Sequence, residues 1–292
     1  MSKRKGIILA GGLGSRLHPL TDVSSKQLLP VYDKPMIYYP LSILMQLGMK
    51  DILIISSPED LPRFKSLLGS GAKWGINLSF KTQKKPNGIA EALILGKNFL
   101  KENPSCLILG DNLFFGEKLI SKLKIADRDT LNASVLTYPV NDPRRYGILE
   151  KKNNKPYKII EKPSKPKSNN AITGIYFYPK NVSLEAKKLK PSKRRELEIS
   201  DLNQTYLLNE KLSVTELDKK STWLDCGTFE SLLNASNFVS KIQNKQNKKV
   251  ACLEEIAYKK KWVSKKLIHS RIKYYGKSEY SNYLKEILND WN

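Results

Sequence analysis

Glycines and basic residues near the N-terminus form the first group that could do chemistry. Gly11, Gly12 and Gly14 directly follow an apolar run, and Arg16 and Lys26 come next. Glycines let backbone N–H groups approach a phosphate, a following helix N-terminus would add a favourable dipole, and the two cations neutralise phosphate oxygens. The pattern favours a triphosphate-binding loop, although a tight strand-to-helix turn explains the glycines alone equally well.

The glycine loop matches neither of two common nucleotide-binding motifs. A Walker P-loop ends in Gly-Lys-Ser/Thr, whereas this loop ends in Gly14-Ser15-Arg16. The dinucleotide fingerprint needs a third glycine where this chain has Leu17. A phosphate loop of another kind and a simple strand-to-helix turn both remain open at this point.

Two aspartates each end a short apolar run. Asp111 follows the run 107–109, and Asp225 follows Trp223-Leu224. Ligands of open parallel sheets bind at the carboxyl ends of strands, and two carboxylates with ligand phosphates are typical of Mg²⁺. Either aspartate alone is more often a turn former or helix cap, so the metal prediction depends on the pair. Cys226 has no histidine neighbour to activate it, so we expect no catalytic cysteine.

The elements that must position these residues follow from apolar patterning. The first half alternates strand-like runs (7–10, 52–56 and 106–109) with helical segments (39–48, 60–68 and 89–100). From about residue 133, strands cluster at 134–138, 147–150, 157–160 and 172–178, and later helices are predicted at 198–208, 229–243 and 279–288. This rhythm predicts an α/β fold: a Rossmann-like, mostly parallel central sheet flanked by helices, with added antiparallel strands and a helical C-terminal part.

Composition excludes several classes of protein. Of 292 residues, 40% are hydrophobic and 27% are charged, which is typical of a globular chain and excludes intrinsic disorder. No stretch approaches the roughly 20 apolar residues that span a bilayer, and the N-terminal apolar run lacks the features of a signal peptide. Three distant cysteines favour a reduced, cytoplasmic location without a zinc site, and two histidines leave little room for histidine chemistry.

The large positive charge raises one alternative from another class. Lys and Arg number 51 against 28 Asp and Glu, which gives a net charge of +23. Such an excess could serve a nucleic-acid-binding protein. However, the lysines are spread along the chain, no nucleic-acid-binding motif occurs, and runs such as 259–261 and 265–266 are typical of a solvated face. We therefore expect no nucleic-acid partner.

Several blocks of this sequence resemble a known family. Gly11–Leu17, Lys26–Pro40 and Leu109–Asn112 are similar to the sugar-1-phosphate nucleotidylyltransferases. The resemblance narrows to the glucose-1-phosphate thymidylyltransferases through Asn141–Gly147, Glu161–Pro163, Thr173–Tyr178, Glu196–Ile199, Trp223–Thr228 and Val250–Ala257. It extends over about residues 4 to 285, which is nearly the whole chain.

The resemblance implies a reaction and its participants. In the family, dTTP and α-D-glucose 1-phosphate give dTDP-glucose and pyrophosphate, with Mg²⁺, by in-line attack of the sugar phosphate on the α-phosphorus. It implies a homotetramer that begins dTDP-rhamnose or other deoxysugar synthesis for polysaccharides. The remaining alternatives are a UTP-dependent enzyme or one that uses another hexose 1-phosphate, because a glutamine bonds thymine and uracil equally well.

The resemblance also implies a role for individual residues. Arg16, Lys26 and Lys162 would be catalytic, and Asp111 and Asp225 would hold the metal. The nucleotide would be bound by Leu9, Gly11, Gly12, Gly14, Ser15, Gln83, Gly88 and Asp111, and the glucose by Tyr146, Gly147, Glu161, Thr173 and Tyr176. For Tyr176 and Glu161, a core aromatic and a solvated edge charge are the simpler alternatives.

A second nucleotide site is implied at a subunit contact. It would involve Lys219, Lys220, Glu255, Ile256 and Lys259, and could bind dTDP-rhamnose or dTTP as a feedback inhibitor. The sequence departs from the family in this region, notably at Glu117, so feedback control is a hypothesis. We expect one nucleotidyltransferase domain over 1–292, with a nucleotide-binding half to about 130, a sugar-phosphate-binding half over about 131–228 and a C-terminal helical assembly region over about 229–292.

Overall fold

The structure is a computed structural model that describes residues 4–12, 14–218 and 220–289. The strands are β1 (Lys5–Ala10), β2 (Pro30–Val31), β3 (Lys34–Pro35), β4 (Asp51–Ser56), β5 (Asn77–Thr82), β6 (Ser105–Leu109), β7 (Asn112–Phe115), β8 (Ala133–Pro139), β9 (Gly147–Lys152), β10 (Lys155–Glu161), β11 (Asn170–Tyr178), β12 (Leu212–Glu216) and β13 (Thr222–Asp225). The α-helices are α1 (Tyr38–Gln46), α2 (Leu61–Leu68), α3 (Glu91–Leu95), α4 (Lys97–Leu100), α5 (Leu119–Arg128), α6 (Val182–Lys187), α7 (Ile199–Leu208), α8 (Phe229–Gln246), α9 (Leu253–Lys259), α10 (Lys265–Tyr275) and α11 (Glu279–Asn289).

A single large sheet forms the centre of the molecule. Its parallel part has the order β6-β1-β4-β5, and the predicted antiparallel strands continue the same sheet through β11, which pairs with β6, β8 and β9. The expected α/β fold is confirmed. The expected helix over 89–100 is two short helices that meet at Gly96.

Alternate side chains of the parallel strands pack into two hydrophobic cores, one on each face of the sheet. On β1, Ile8 packs into one core with helices α1, α9 and α11, whereas Ile7 packs into the other with α3 and α7. The strands are apolar at nearly every position because both faces are covered. β5 escaped prediction because it lies at the edge of the sheet, where its residues are exposed or half-exposed in alternation.

A separate two-stranded ribbon lies beside the sheet. Strands β7 and β13 pair antiparallel, with Trp223 opposite Phe114 and Asp225 opposite Asn112. A third hydrophobic cluster covers the ribbon and includes Leu113, Phe115 and residues of α8. Because Asp111 precedes β7 directly and Asp225 ends β13, this ribbon carries both predicted metal ligands.

Candidate active site

The predicted nucleotide-binding residues lie at the carboxyl ends of the parallel strands. The glycine loop follows β1, Gln83 follows β5 and Asp111 follows β6. The backbone N–H of Gly110 donates to the carbonyl of Leu9 at 2.9 Å, which joins the ends of β1 and β6. The sheet thus gathers segments that are far apart in the chain at one edge, where ligands of open α/β sheets bind.

The glycine loop is followed by a single 3₁₀ turn, Ser15–Leu17, rather than by an α-helix. Gly14 starts the turn in the left-handed conformation, and the Thr21 hydroxyl donates to its carbonyl at 3.0 Å. One turn aligns too few peptide dipoles to attract an anion strongly. The prediction of a helix dipole at this loop is therefore wrong, and the loop offers an anion only its backbone N–H groups and the nearby cations.

The residues predicted to face the base lie together. A Cβ atom placed on Gly11 would lie 2.7 Å from Gln83 Oε1 and 3.6 Å from Leu9 Cδ1, so only glycine leaves the Gln83 amide in place. Gln83 Nε2 donates to the carbonyl of Gly88 at 3.3 Å and to Glu91 Oε2 at 2.8 Å. The amide is therefore held in one orientation beside the loop.

Asp111 is held by a cation and an amide. The Lys26 ammonium contacts Asp111 Oδ2, and Asn112 Nδ2 donates to Oδ1 at 2.9 Å. Burial would raise the pKa of Asp111, but Lys26 and these hydrogen bonds outweigh it and hold that pKa below its ordinary value. Burial likewise opposes the charge of Lys26, yet Asp111 raises the pKa of Lys26 above its ordinary value. Both groups are therefore charged near neutral pH.

Asp225 lies beside Asp111 because of the ribbon register. Asp225 is opposite Asn112, and the N–H of Cys226 donates to the carbonyl of Asp111 at 3.0 Å. Burial first, and the charge of Asp111 second, raise the pKa of Asp225, while Arg145 Nη2 donates to Asp225 Oδ2 at 3.2 Å and opposes this shift. Two carboxylates in one buried place are costly for a fold, and such arrangements are typical of functional sites.

Arg16 projects from the loop towards the same carboxylates. Its side chain is exposed, and a Cβ atom on Gly227 would lie 3.6 Å from Arg16 Nη2 and 3.2 Å from Asp225 Oδ1. Gly12 and Ser15 of the same loop are also exposed. The predicted phosphate-binding cation and the predicted metal ligands therefore share one region.

A cavity of about 190 Å³ adjoins the two aspartates. Of the residues predicted to bind glucose, Tyr146, Gly147, Glu161 and Tyr176 line it, together with Lys162, Arg16, Asp111 and Asp225. Thr173 is fully buried and does not line the cavity, although its neighbour Gly174 does. The cavity wall thus combines an aromatic surface with charged groups, as a sugar phosphate requires.

Glu161 is oriented at the cavity by two neighbours. Ser200 Oγ donates to Glu161 Oε2 at 2.5 Å, and Arg194 Nη2 donates to Oε1 at 3.3 Å. Gly147 lies opposite Glu161 in the β9–β10 pair, and a Cβ atom there would overlap Ser200 Oγ. Burial raises the pKa of Glu161 above its ordinary value, against the opposing effect of Ser200. A carboxylate held this way can accept hydrogen bonds from sugar hydroxyls.

Lys162 enters the cavity from a left-handed backbone turn. Its φ is 43°, a conformation that non-glycine residues adopt rarely, and its N–H donates to the carbonyl of Tyr146 at 2.9 Å. Its ammonium lies 3.8 Å from Glu161 Oε1 and is half-exposed. The unusual backbone turns this cation towards the cavity rather than along the strand.

Sequence reasoning missed several residues that complete the site. Arg145, Asn112, Trp223, Arg194 and Ser200 line the cavity or hold its carboxylates. Asn112, Arg145 and Trp223 lie within the blocks that carry the family resemblance, Ser200 directly follows one of them, and Arg194 lies two residues before the same block. Apart from the contact of Asn112 with its neighbour Asp111, these contacts join residues far apart in the chain, so no local pattern signals them.

A second and larger cavity, of about 950 Å³, lies on another part of the surface. Lys220, Glu255, Ile256 and Lys259 line it with Phe115, Phe238 and other residues, whereas Lys219 lies outside the described residues. Lys259 Nζ contacts Glu255 Oε1 at 2.5 Å. The described residues predicted for a second nucleotide site are therefore together.

The three cysteines are buried, and the described residues hold no larger group of metal-ligating side chains. Cys106, Cys226 and Cys252 are buried and free, and burial strongly raises the pKa of the Cys226 thiol. Within residues 4–12, 14–218 and 220–289, no three His, Cys, Asp or Glu side chains are grouped as metal ligands. Nor does this part of the chain contain a helix both long and apolar enough to cross a membrane.

The fold and this site define a nucleotidyl transferase, and the model of the nucleotidyl transferase family matches residues 5–242. The chain is 50% identical to a glucose-1-phosphate thymidylyltransferase of Neisseria meningitidis, over 97% of this chain and 99% of the relative. The enzyme of that name from Mycobacterium tuberculosis is 45% identical over the same shares. The chain belongs to the glucose-1-phosphate thymidylyltransferase family.

Two solved structures are similar to this fold. A Bacillus anthracis crystal structure assigned to glucose-1-phosphate thymidylyltransferase, in complex with sucrose, is 42% identical, with a TM-score of 0.74 over 81% of this chain and 95% of that chain. A UDP-glucose pyrophosphorylase complexed with UDP-glucose shares the fold with a TM-score of 0.73, over 82% of this chain and 99% of that chain, at 22% identity.

Proposed function

We propose that the chain transfers a thymidylyl group from dTTP to α-D-glucose 1-phosphate. A phosphate oxygen of the sugar phosphate attacks the α-phosphorus, the bond to the β-phosphate bridging oxygen breaks, and dTDP-glucose and pyrophosphate result. One observation carries the proposal: the Gln83 amide, the two aspartates and the 190 Å³ cavity all lie at the carboxyl ends of the parallel strands. The product would enter dTDP-rhamnose or other deoxysugar synthesis.

Positioning and charge neutralisation would supply the catalysis. The attacking phosphate is already anionic and pyrophosphate leaves as an anion, so no general acid or base is required. Arg16 and Lys26 would bind the nucleotide phosphates, and Lys162 would hold the sugar phosphate near the attacking position. The Gln83 amide would pair with the base, while Tyr146 and Glu161 would orient the glucose.

The aspartate pair fits Mg²⁺. Asp111 and Asp225 offer hard oxygen donors, and their two charges lie close together in a buried place where a dication would relieve their repulsion. Within the described residues no third His, Cys, Asp or Glu joins the pair as a possible ligand, and two carboxylates suit an ion that also takes phosphate oxygens and water. When bound, Mg²⁺ would neutralise charge on the phosphates during transfer.

Pyrophosphate release tests the reaction. Glucose 1-phosphate is supplied with dTTP, UTP, CTP, ATP or GTP in turn, and then each hexose 1-phosphate with dTTP. We expect turnover with dTTP and glucose 1-phosphate. Some turnover with UTP is also expected, because the Gln83 amide would hydrogen-bond either pyrimidine, but it should be weaker than with dTTP. An enzyme inactive with both thymidine and uridine nucleotides would contradict the proposal. A preference for UTP or another hexose would replace it with the corresponding transferase.

The 950 Å³ cavity supports feedback control as a further part of the proposal. Aromatic residues and cations line it, including Lys220 and Lys259, as a nucleotide would require. dTDP-rhamnose should inhibit the wild type, and Lys220→Ala should weaken that inhibition without changing turnover in its absence. Undiminished activity across a broad range of dTDP-rhamnose concentrations would exclude this control.

Four statements about the intact enzyme stay predictions from the sequence and the family. They are the homotetramer, the cytoplasmic location, the absence of a nucleic-acid partner, and the division near residues 130 and 228. Light scattering tests the first. A DNA-binding assay titrated with salt tests the third, because real phosphate contacts give a steep salt dependence.

A further inference from the structure

Trp223 is linked to Asp111 through the side chain of Asn112. The indole Nε1–H of Trp223 donates to Asn112 Oδ1 at 2.6 Å, and Asn112 Nδ2 donates in turn to Asp111 Oδ1 at 2.9 Å. The N–H of Gly174, on β11, also donates to Asn112 Oδ1 at 3.2 Å. Trp223 and Asn112 are buried, with 7% and 2% of their surface exposed.

These contacts fix which way the Asn112 amide points. An indole N–H and a backbone N–H can only donate, so the atom that meets both of them must be the amide oxygen. The amide NH₂ is then forced towards Asp111. Without the indole donor, one N–H remains on the oxygen and the amide can rotate. Its oxygen would then face a carboxylate and repel it.

We propose that Trp223 is a positioning residue that holds the Asp111 carboxylate ready for the metal through Asn112. Trp223 does this without touching the metal or the phosphates. The inference rests on the proposed function, which assigns Asp111 to Mg²⁺. Trp223 lies on β13, two residues before the second metal ligand, Asp225. The orientation of Asp111 therefore depends on a hydrogen bond donated from the strand that also carries Asp225.

The surroundings of Trp223 make its ring a rigid support. The ring packs against Tyr146 at 5.1 Å and Tyr138 at 6.2 Å between centroids. Trp223 also lies opposite Phe114 in the ribbon. Since the ring also lines the sugar cavity, a simple packing role would instead affect glucose binding. These two roles give different results when the N–H is removed.

The test compares Trp223→Phe with Trp74→Phe. Trp74 is fully buried, and its Nε1 has no hydrogen-bond partner among the described residues, so its replacement controls for the loss of a buried indole. Mn²⁺ affinity is measured by electron paramagnetic resonance with saturating dTTP and no sugar phosphate. Turnover is then measured against Mg²⁺ and against glucose 1-phosphate.

We expect Trp223→Phe to weaken Mn²⁺ binding and raise the apparent Mg²⁺ activation constant by about 10- to 100-fold, the usual effect of removing a group that orients a metal ligand. Trp74→Phe should leave both constants unchanged. If Trp223→Phe keeps wild-type metal constants and raises only the KM for glucose 1-phosphate, the inference is wrong.

Folding and function are separated by two further measurements. If Trp223→Phe does not fold, as judged by circular dichroism, 3-benzothienylalanine at position 223 keeps the ring shape and replaces only the N–H. The Mn²⁺ affinity and the Mg²⁺ activation constant of that variant then test the positioning role. A wild-type enzyme that does not consume dTTP with glucose 1-phosphate would contradict the proposed function, whereas the Mn²⁺ comparison would still judge the positioning role.

Discussion

Replacing the two site aspartates by asparagine should change the stability of the metal-free protein in opposite directions. Asp111 has a pKa below its ordinary value because Lys26 and Asn112 outweigh burial, so its ionised form stabilises the fold. Asp225 has a raised pKa, chiefly through burial and then through the charge of Asp111, so its ionised form destabilises the fold. Each asparagine variant removes one of these effects.

The pH dependence of stability shows whether each ionised aspartate stabilises or destabilises the fold at pH 7. The stabilisation from Asp111 is fully present above the unfolded pKa of about 3.9 and is lost as the pH falls through the lower folded value. The cost from Asp225 is fully present above its raised folded pKa and disappears as the pH falls below the unfolded value. At pH 7 both effects therefore operate, provided that the metal is removed by a chelator.

The magnitudes follow from exposure and partners. The Lys26–Asp111 pair is partly buried, with side chains 14% and 13% exposed, and a hydrogen bond between charged groups contributes about 1.5–3 kcal/mol. At about 2 °C per kcal/mol, Asp111→Asn should lower Tm by about 3–6 °C. Asp225→Asn gives up a contact with the 33%-exposed Arg145, worth at most about 1 kcal/mol. It should still gain about 0.5–2 kcal/mol, which raises Tm by about 1–4 °C.

Calorimetry with and without Mg²⁺, together with pyrophosphate release, checks this prediction. Both variants should lose turnover by about 100-fold or more because metal-assisted charge neutralisation is lost. Glu185→Gln is the control: it removes an exposed partner of Lys188 and should change stability by less than about 0.5 kcal/mol. A decrease of Tm in Asp225→Asn would refute the reasoning, and near-normal turnover at low Mg²⁺ would refute the metal assignment.

Two further predictions concern the cavity and the base-binding side. Ser200→Ala should raise the KM for glucose 1-phosphate about 10-fold, because Glu161 loses a hydrogen bond that orients it. In the wild type this hydrogen bond lowers the pKa of Glu161, so its removal should raise that pKa and move the acidic limb of kcat/KM to higher pH. An unchanged acidic limb in a pH series would contradict this. Gly88→Ala should cost more stability than Gly48→Ala in denaturant unfolding and should raise the KM for dTTP. Both glycines have positive φ, which costs alanine about 1–2 kcal/mol, but only at Gly88 would the Cβ lie 2.5 Å from the backbone N of Leu197. Equal losses would show that the contact is absent.

The pattern of the sequence determined the central sheet and the chemical types of the site. Continuous apolar runs such as 52–56 are recognisable because strands covered on both faces need apolar residues at every position. Gly11, Arg16 and Asp111 stand out because a phosphate loop and a strand-end carboxylate are local features. The edge strand β5 was missed because its half-exposed residues carry no such pattern.

Only the tertiary structure decided how these groups meet. The register of β7 with β13 places Asp225 beside Asp111, and no short-range pattern encodes that register. The same holds for the contact of Ser200 with Glu161, which depends on helix α7 docking against β10. A helix dipole was expected after the glycine loop, but the chain makes only one 3₁₀ turn there. Local residue types thus indicate which ligands the site could bind. Long-range packing sets the distances between these residues and shifts their pKa values.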